Sequence, residues 1–187
     1  VSGNCLQMLG GSDNSVIKGT VINRCDGNAI YVLGTDSITF EGDYIGTDPT
    51  GLIARPNGGS SGETSVAINI GDNCNSSADT TTTTPLIGGS SADARNLISG
   101  NHGGGMGICG TDTTVLGNYV GVDAGGLTAL GNSSNPGDHS GGITIDYADG
   151  VIIGGVISGQ MNIFSGNDNS GISPLHTENM TIQGNYS

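Results

Sequence analysis

The chain has 187 residues, of which 36 are Gly; 11% are charged, 4% are aromatic and none is Trp. That composition excludes a compact α/β enzyme of ordinary make-up, and the lack of a Gly-X-Y period excludes collagen. The net charge of −13, with Lys18, Arg24, Arg55 and Arg95 as the whole cationic complement, excludes a nucleic-acid partner and an anionic membrane surface. Polyanionic polysaccharides such as pectin or alginate are disfavoured for the same reason unless calcium intervenes. No apolar run approaches the ~20 residues of a membrane span, so no membrane insertion is expected. Val1 opens without the basic region of a signal peptide, and Gly184-Asn185-Tyr186-Ser187 stops inside a motif that is complete upstream. The chain therefore reads as one domain over 1–187, a mature or trimmed piece of a longer protein.

Short motifs recur in chain order. Leu6-Gln7-Met8 is the first apolar-x-apolar pair, and Ile17-Lys18-Gly19 the first apolar segment closed by a turn. Ile30-Tyr31-Val32, Phe40-Glu41-Gly42-Asp43 and Tyr44-Ile45-Gly46-Thr47-Asp48 follow. Next come Ile68-Asn69-Ile70, Ile87-Gly88-Gly89 and Asn96-Leu97-Ile98-Ser99-Gly100-Asn101. Ile108-Cys109-Gly110, Leu116-Gly117-Asn118 and Tyr119-Val120-Gly121-Val122-Asp123 repeat the second set. Ile143-Thr144-Ile145, Ile153-Gly154-Gly155 and Asn162-Ile163-Phe164-Ser165-Gly166-Asn167 repeat the third, and Ile172-Ser173-Pro174 with Ile182-Gln183-Gly184-Asn185 begins again. Two forms of turn alternate, so the larger unit is a pair of coils.

The spacing dictates the architecture. Each motif holds two to four residues of alternating strand, too short to stand alone, and no two-residue hairpin loops join them. Stacked coils give every strand a parallel partner at about 4.8 Å and bury the apolar positions in columns. One predicted column is Leu6, Ile30, Ile68, Ile108, Ile143, Ile172; another is Ile17, Phe40, Leu116, Ile153, Ile182. Gly-Asn pairs turn the corners, with Asn in the left-handed region and stacked in ladders. The fold expected is an all-β, right-handed parallel β-helix with three short strands per coil. Uneven loops fall near 50–63, 73–85 and 125–140, and the threonine run 80–84 is expected to be an exposed, mobile bulge.

The four cysteines, Cys5, Cys25, Cys74 and Cys109, contain no C-x-x-C pair, which argues against zinc. An even count with scarce Lys points to an oxidising compartment. Three connectivities are open; Cys5 and Cys25 fall on neighbouring coils in this register, which favours Cys5–Cys25 with Cys74–Cys109, and free thiols are the alternative.

The blocks Gly-Asp-Tyr-Ile-Gly-Thr-Asp-Pro-Thr-Gly (42–51), Gly-Asn-Tyr-Val-Gly-Val-Asp-Ala-Gly-Gly (117–126) and Arg-Asn-Leu-Ile-Ser-Gly-Asn (95–101) resemble the right-handed parallel β-helix repeats of large secreted bacterial proteins. The resemblance covers nearly the whole chain. It implies the pectate-lyase-like superfamily fold, an extracellular or cell-surface location and an adhesin-like role. The same fold class includes pectate lyases, polygalacturonases, epimerases and phage tailspikes, so it assigns no chemistry.

Catalytic constellations are weak, and no catalytic residue is predicted. A polygalacturonase-like hydrolase needs paired carboxylates; Gly-Thr-Asp occurs at 34–36, 46–48 and 110–112, but there is no Asp-Asp, no Gly-His-Gly and no Arg-Ile-Lys. A uronate lyase would need a base and calcium, for which Lys18 and Arg24 near Asp13, Asp26, Asp36 and Glu41 are the only grouping. Structural calcium on turn carboxylates is the cofactor to consider, with Asp48 equivalent to Asp123 and Asp36 to Asp112. His102, His139 and His176 do not share a register, so no metal site is predicted. Tyr44, Tyr119 and Tyr186 do share one, and stack on sugar rings or cover an apolar edge. The ligand-binding candidates are Tyr44, Asp48, Tyr119 and Asp123. The expected function is a structural or adhesive module that binds polysaccharide or glycan, or associates end to end; the alternative is a glycoside hydrolase or polysaccharide lyase.

Overall fold

The computed structural model describes residues 3–58, 65–72, 79–132 and 141–187. Each coil gives one strand to sheets 1 and 2, and the first five coils give one to sheet 3. Sheet 1 stacks Leu6–Leu9, Ile30–Leu33, Val66–Ile70, Gly104–Ile108, Ile143–Asp146 and Ile172–Leu175 in chain order. Sheet 2 stacks Val16–Lys18, Thr39–Glu41, Leu86–Gly88, Thr114–Leu116, Ile152–Ile153 and Thr181–Ile182. Sheet 3 stacks the two-residue strands Val21–Ile22, Tyr44–Ile45, Leu97–Ile98, Tyr119–Val120 and Ile163–Phe164. Neighbours in all three are parallel. The protein is a parallel β-helix of six successive coils, right-handed as parallel crossovers are, with one 3-10 turn among the described residues, at Ala92–Ala94.

Period-two alternation decides what is inside. Ile30, Val32, Phe40, Ile45, Ile68, Ile70, Ile87, Ile98 and their successors through the fifth coil, such as Ile143, Ile145, Ile153 and Phe164, are buried, while in the last coil Ile172 is partly buried and Ile182 exposed. The first column is Leu6, Ile30, Ile68, Met106, Ile143 and Ile172. Met106 therefore takes the place that the Gly-Ile motif predicts for Ile108, which lies one pleat further on, opposite Ile70 and Ile145. A shift of two keeps the apolar face inward, so hydrophobic pattern alone does not detect it. In sheet 2 the inward residue of the fourth coil is Val115, not Leu116, and the third coil supplies Ile87.

The corners explain the two alternating turn forms. At the sheet 2–sheet 3 corner, Thr20, Asp43, Asn96, Asn118, Asn162 and Asn185 stand one above another and hydrogen-bond in sequence. At the sheet 3–sheet 1 corner, Asn57, Asn101, Asn132 and Asn167 form a second ladder, each Nδ2 donating to the next Oδ1 at 2.8–3.0 Å. The second and fourth coils turn tightly at the first corner, through Gly42-Asp43 and Gly117-Asn118, and carry loops 47–57 and 122–132 at the second. The third and fifth coils do the reverse, with loops 89–95 and 155–161 at the first corner and tight Ser-Gly-Asn turns at the second. Gly46 and Gly121 must be glycine on both counts. Their φ values are +94° and +89°, and a Cβ on either would fall on the ladder asparagine of the following coil, Asn101 or Asn167.

The threonine run differs from expectation. Asp79–Thr83 is a strand paired with Gly110–Thr111. Thr82 is fully buried, and its Oγ1 accepts from the Gly34 N–H at 2.9 Å. Thr has the β-branching a strand favours, and Asp79 ties the run down by accepting from the Thr81 and Thr82 hydroxyls. Cys5 and Cys25 form a disulfide between neighbouring coils with Cα atoms 5.6 Å apart. Cys109 is buried and disulfide-bonded; Cys74, its expected partner, lies outside the described residues, as does His139.

Candidate functional site

Side chains facing outward from sheet 3 make one column: Val21, Tyr44, Leu97, Tyr119, Ile163 and Tyr186. Tyrosine and aliphatic residues alternate because the two coil types alternate. Loops 47–57 and 122–132 wall this face on one side and loops 89–95 and 155–161 on the other. Two cavities lie along it, one of about 260 Å³ and one of about 480 Å³.

The first cavity lies between Tyr44 and Tyr119, over Leu97, with Asp93 and Arg95 at its wall. The Arg95 guanidinium carbon sits 4.1 Å from the Tyr119 ring centroid, and its Nε donates to the Gly117 carbonyl at 3.1 Å. This cation–π contact covers one face of the ring and fixes the guanidinium. Gly51 closes on the Tyr44 ring and Gly126 on the Tyr119 ring. Both tyrosines are thus half-buried and pinned by loops, while Tyr186 is 62% exposed. The second cavity is more apolar, lined by Leu127, Ala129, Met161, Ile163 and Tyr186, with Leu127 91% exposed at its lip.

Asp48 and Asp123 hold the same place two coils apart, and each closes its own loop. Asp48 Oδ1 accepts from Thr50 Oγ1 at 2.7 Å and from Ile53 N–H at 3.3 Å; Asp123 Oδ1 accepts from the Leu127 and Thr128 amides at 3.1 and 3.2 Å. The Thr50 hydroxyl and the loop amides lower the Asp48 pKa, and the Leu127 and Thr128 amides lower that of Asp123. Both are carboxylates at neutral pH, unsuited to donate a proton to a leaving group. The loops also bond to each other, Ala124 N–H donating to Gly51 O at 3.1 Å.

The other sequence candidates are not brought together. Lys18 pairs with Glu41 at 2.8 Å on the exposed face of sheet 2. Asp36 aligns with Thr83 and Asp149 neighbours Thr111, so Asp112 is one position out of the column expected for Asp36; it takes the left-handed corner instead, at φ +53°. Among the described residues, no three His, Cys, Asp or Glu side chains converge as a metal site. His176 is stacked on Tyr147 at 4.5 Å between centroids and its Nδ1 lies 3.0 Å from Asp146 Oδ1. Sequence reading missed this pair, although the sheet 1 register, which sets Asp146 opposite Leu175, aligns the next two residues.

No protein-family model matches the chain, and no curated protein matches it. Among solved structures, trypsin-treated QnrB1, a plasmid-mediated fluoroquinolone resistance protein, aligns with 99% of this chain and 73% of its own at 10% identity and a TM-score of 0.17. That likeness carries no argument about fold or function.

Proposed function

We propose that the protein is a structural or adhesive module of the bacterial cell surface or extracellular space, and that it binds a glycan chain along the outer face of sheet 3. The observation that carries the reading is the in-line column of tyrosine and aliphatic side chains between two rows of loops, with two cavities along it. A sugar presents an apolar face to an aromatic ring and hydroxyls to polar walls. Arg95 and Asp93 supply such a wall at the first cavity. The acidic chain favours a neutral polymer over a uronate. Carboxylates fixed as loop closures, as at Asp48 and Asp123, favour binding over turnover.

The test is a glycan array run beside reducing-sugar and unsaturated-uronate assays. Binding to a neutral polymer, weakened at least tenfold in Tyr186→Ala and in Arg95→Ala and without turnover, is the expected result. Turnover of any polymer that is lost in Asp48→Ala or Asp123→Ala replaces the module reading with the enzyme one.

A further inference from the structure

We propose that Asp43 is a buried proton-binding site: its carboxyl is neutral in the folded protein, with Oδ2–H serving as one of the two donors that an asparagine amide provides in the other rungs of the ladder, so that the second coil is joined to a neighbouring coil by a titratable proton.

The argument is one of equivalence. Asn96 Nδ2 donates to Phe40 O in the preceding coil and to Asn118 Oδ1 in the following one, both at 2.9 Å. Asn118 Nδ2 donates likewise to Ile87 O at 2.8 Å and to Asn162 Oδ1 at 3.1 Å, and Asn162 Nδ2 to Val115 O and Asn185 Oδ1 at 2.9 and 2.8 Å. Each rung thus points two N–H bonds at two oxygen acceptors. Asp43 occupies the same rung. Its Oδ1 accepts from Thr20 N–H and Thr20 Oγ1, both at 2.8 Å, and its own N–H donates to Asn96 Oδ1 at 2.9 Å. Its Oδ2 is buried and without a partner. Register puts Ile17 in the column of Phe40, Ile87 and Val115, so by equivalence with the asparagine rungs the acceptors open to Oδ2 are Ile17 O and Asn96 Oδ1. Both are acceptors. An ionised oxygen leaves both without a donor, whereas a protonated one donates its single O–H to one of them, half of what the amide supplies.

The surroundings agree. Asp43 is fully buried, and burial pushes its carboxyl upward against the hydrogen bonds from Thr20 and the Glu41 backbone, with the Glu41 charge adding to the rise. The other titratable and charged groups around this corner are Lys18 of the first coil, already paired with Glu41, Tyr44 of the same coil, and Asp93 and Arg95 of the segment that closes over Gly42. Arg95 is committed to Tyr119. A folded-state pKa above the unfolded value means the proton's contribution is complete below the ordinary aspartate midpoint and is lost as pH rises through the folded midpoint. Asp43→Asn replaces the proton by a permanent donor and removes that dependence.

The test compares urea unfolding of the protein and of Asp43→Asn from pH 3 to pH 8. At pH 3 the difference between the two is expected to be smallest. Above the ordinary aspartate midpoint the unfolding constant of the parent should rise relative to the variant, by up to roughly tenfold per pH unit, and level off above the folded midpoint. Isotope-edited infrared difference spectra give a second readout that does not depend on stability. A protonated-carboxyl C=O band that persists well above the ordinary aspartate range, and is absent from Asp43→Asn, is expected. A variant less stable than the parent at pH 7, or a carboxyl that titrates at the ordinary position, overturns the proposal.

Discussion

Thr113 is fully buried, and its hydroxyl has no hydrogen-bond partner. The register of sheet 2 sets it between Pro85 of the coil before and Val151 of the coil after. A hydroxyl in that apolar column loses its water and recovers nothing. Thr113→Val keeps the shape and should stabilise the fold by about 1 kcal/mol, read as a higher urea midpoint with unchanged slope. Asp36 shows the opposite logic. Hydrogen bonds from the Thr84, Thr83 and Ser37 hydroxyls lower its pKa, so its contribution is present above the unfolded midpoint and is lost as pH falls through the folded one. Asp36→Ala should therefore lower Tm at pH 7, and the gap should close as the pH drops well below the ordinary aspartate value. A gap that stays constant down to pH 2 refutes the assignment. Asp36 and Asp43 are aspartates at two corners of one coil whose pKa values move in opposite directions, because hydroxyl donors hold the first at the surface and burial dominates at the second.

At the scale of the element, the corner ladders do what the short strands cannot. Asn118 receives the Asn96 N–H and Nδ2 on its Oδ1 and donates from Nδ2 to Ile87 O and Asn162 Oδ1. Asn118→Ala strands several buried polar groups at once and should cost about 3 kcal/mol in urea unfolding, against well under 1 kcal/mol for an exposed corner residue such as Asn179. Much of this was legible in the sequence. The Gly-Asn pairs mark the corners, although the glycines Gly42, Gly100, Gly117, Gly166 and Gly184 take the left-handed conformation expected of the Asn, and the Tyr44, Tyr119 and Tyr186 register follows from the alternation. The Met106 register was not legible, since a two-residue shift leaves the buried face unchanged. Nor was the covering of Tyr119 by Arg95, because the contact joins a loop of one coil to the strand of the next. The loop stack has a readable start, however. Ala124 donates its N–H to Gly51 O, and the equivalent residue of the earlier loop is Pro49, which has none to give and has no such loop beneath it.

On the scale of the whole molecule, the strands of each coil pair only with those of its neighbours, and contacts across two coils, such as Ala124 N–H to Gly51 O, are confined to the loops, so stability is chiefly a chain of nearest-neighbour terms and not one indivisible core. The three sheets run through the stack with strands of two to five residues, and no strand crosses more than its own coil. A crosslink must then act locally. The Cys5–Cys25 disulfide spans 20 residues and fastens the first coil, where Leu6, Met8, Ile17 and Ile22 are only partly buried against the core, at the seam where the second begins. For a loop of that length the chain-entropy contribution is about 3 kcal/mol. In a solenoid that amount falls on the first coil first. The Cys5→Ala/Cys25→Ala variant should show faster amide exchange in Leu6–Leu9, Val16–Lys18 and Val21–Ile22, while Gly104–Ile108 and Thr114–Leu116 of the fourth coil keep the protection they have in the parent. Uniform loss of protection across all the coils would mean that the stack unfolds as a single cooperative unit, and that the disulfide stabilises the whole rod.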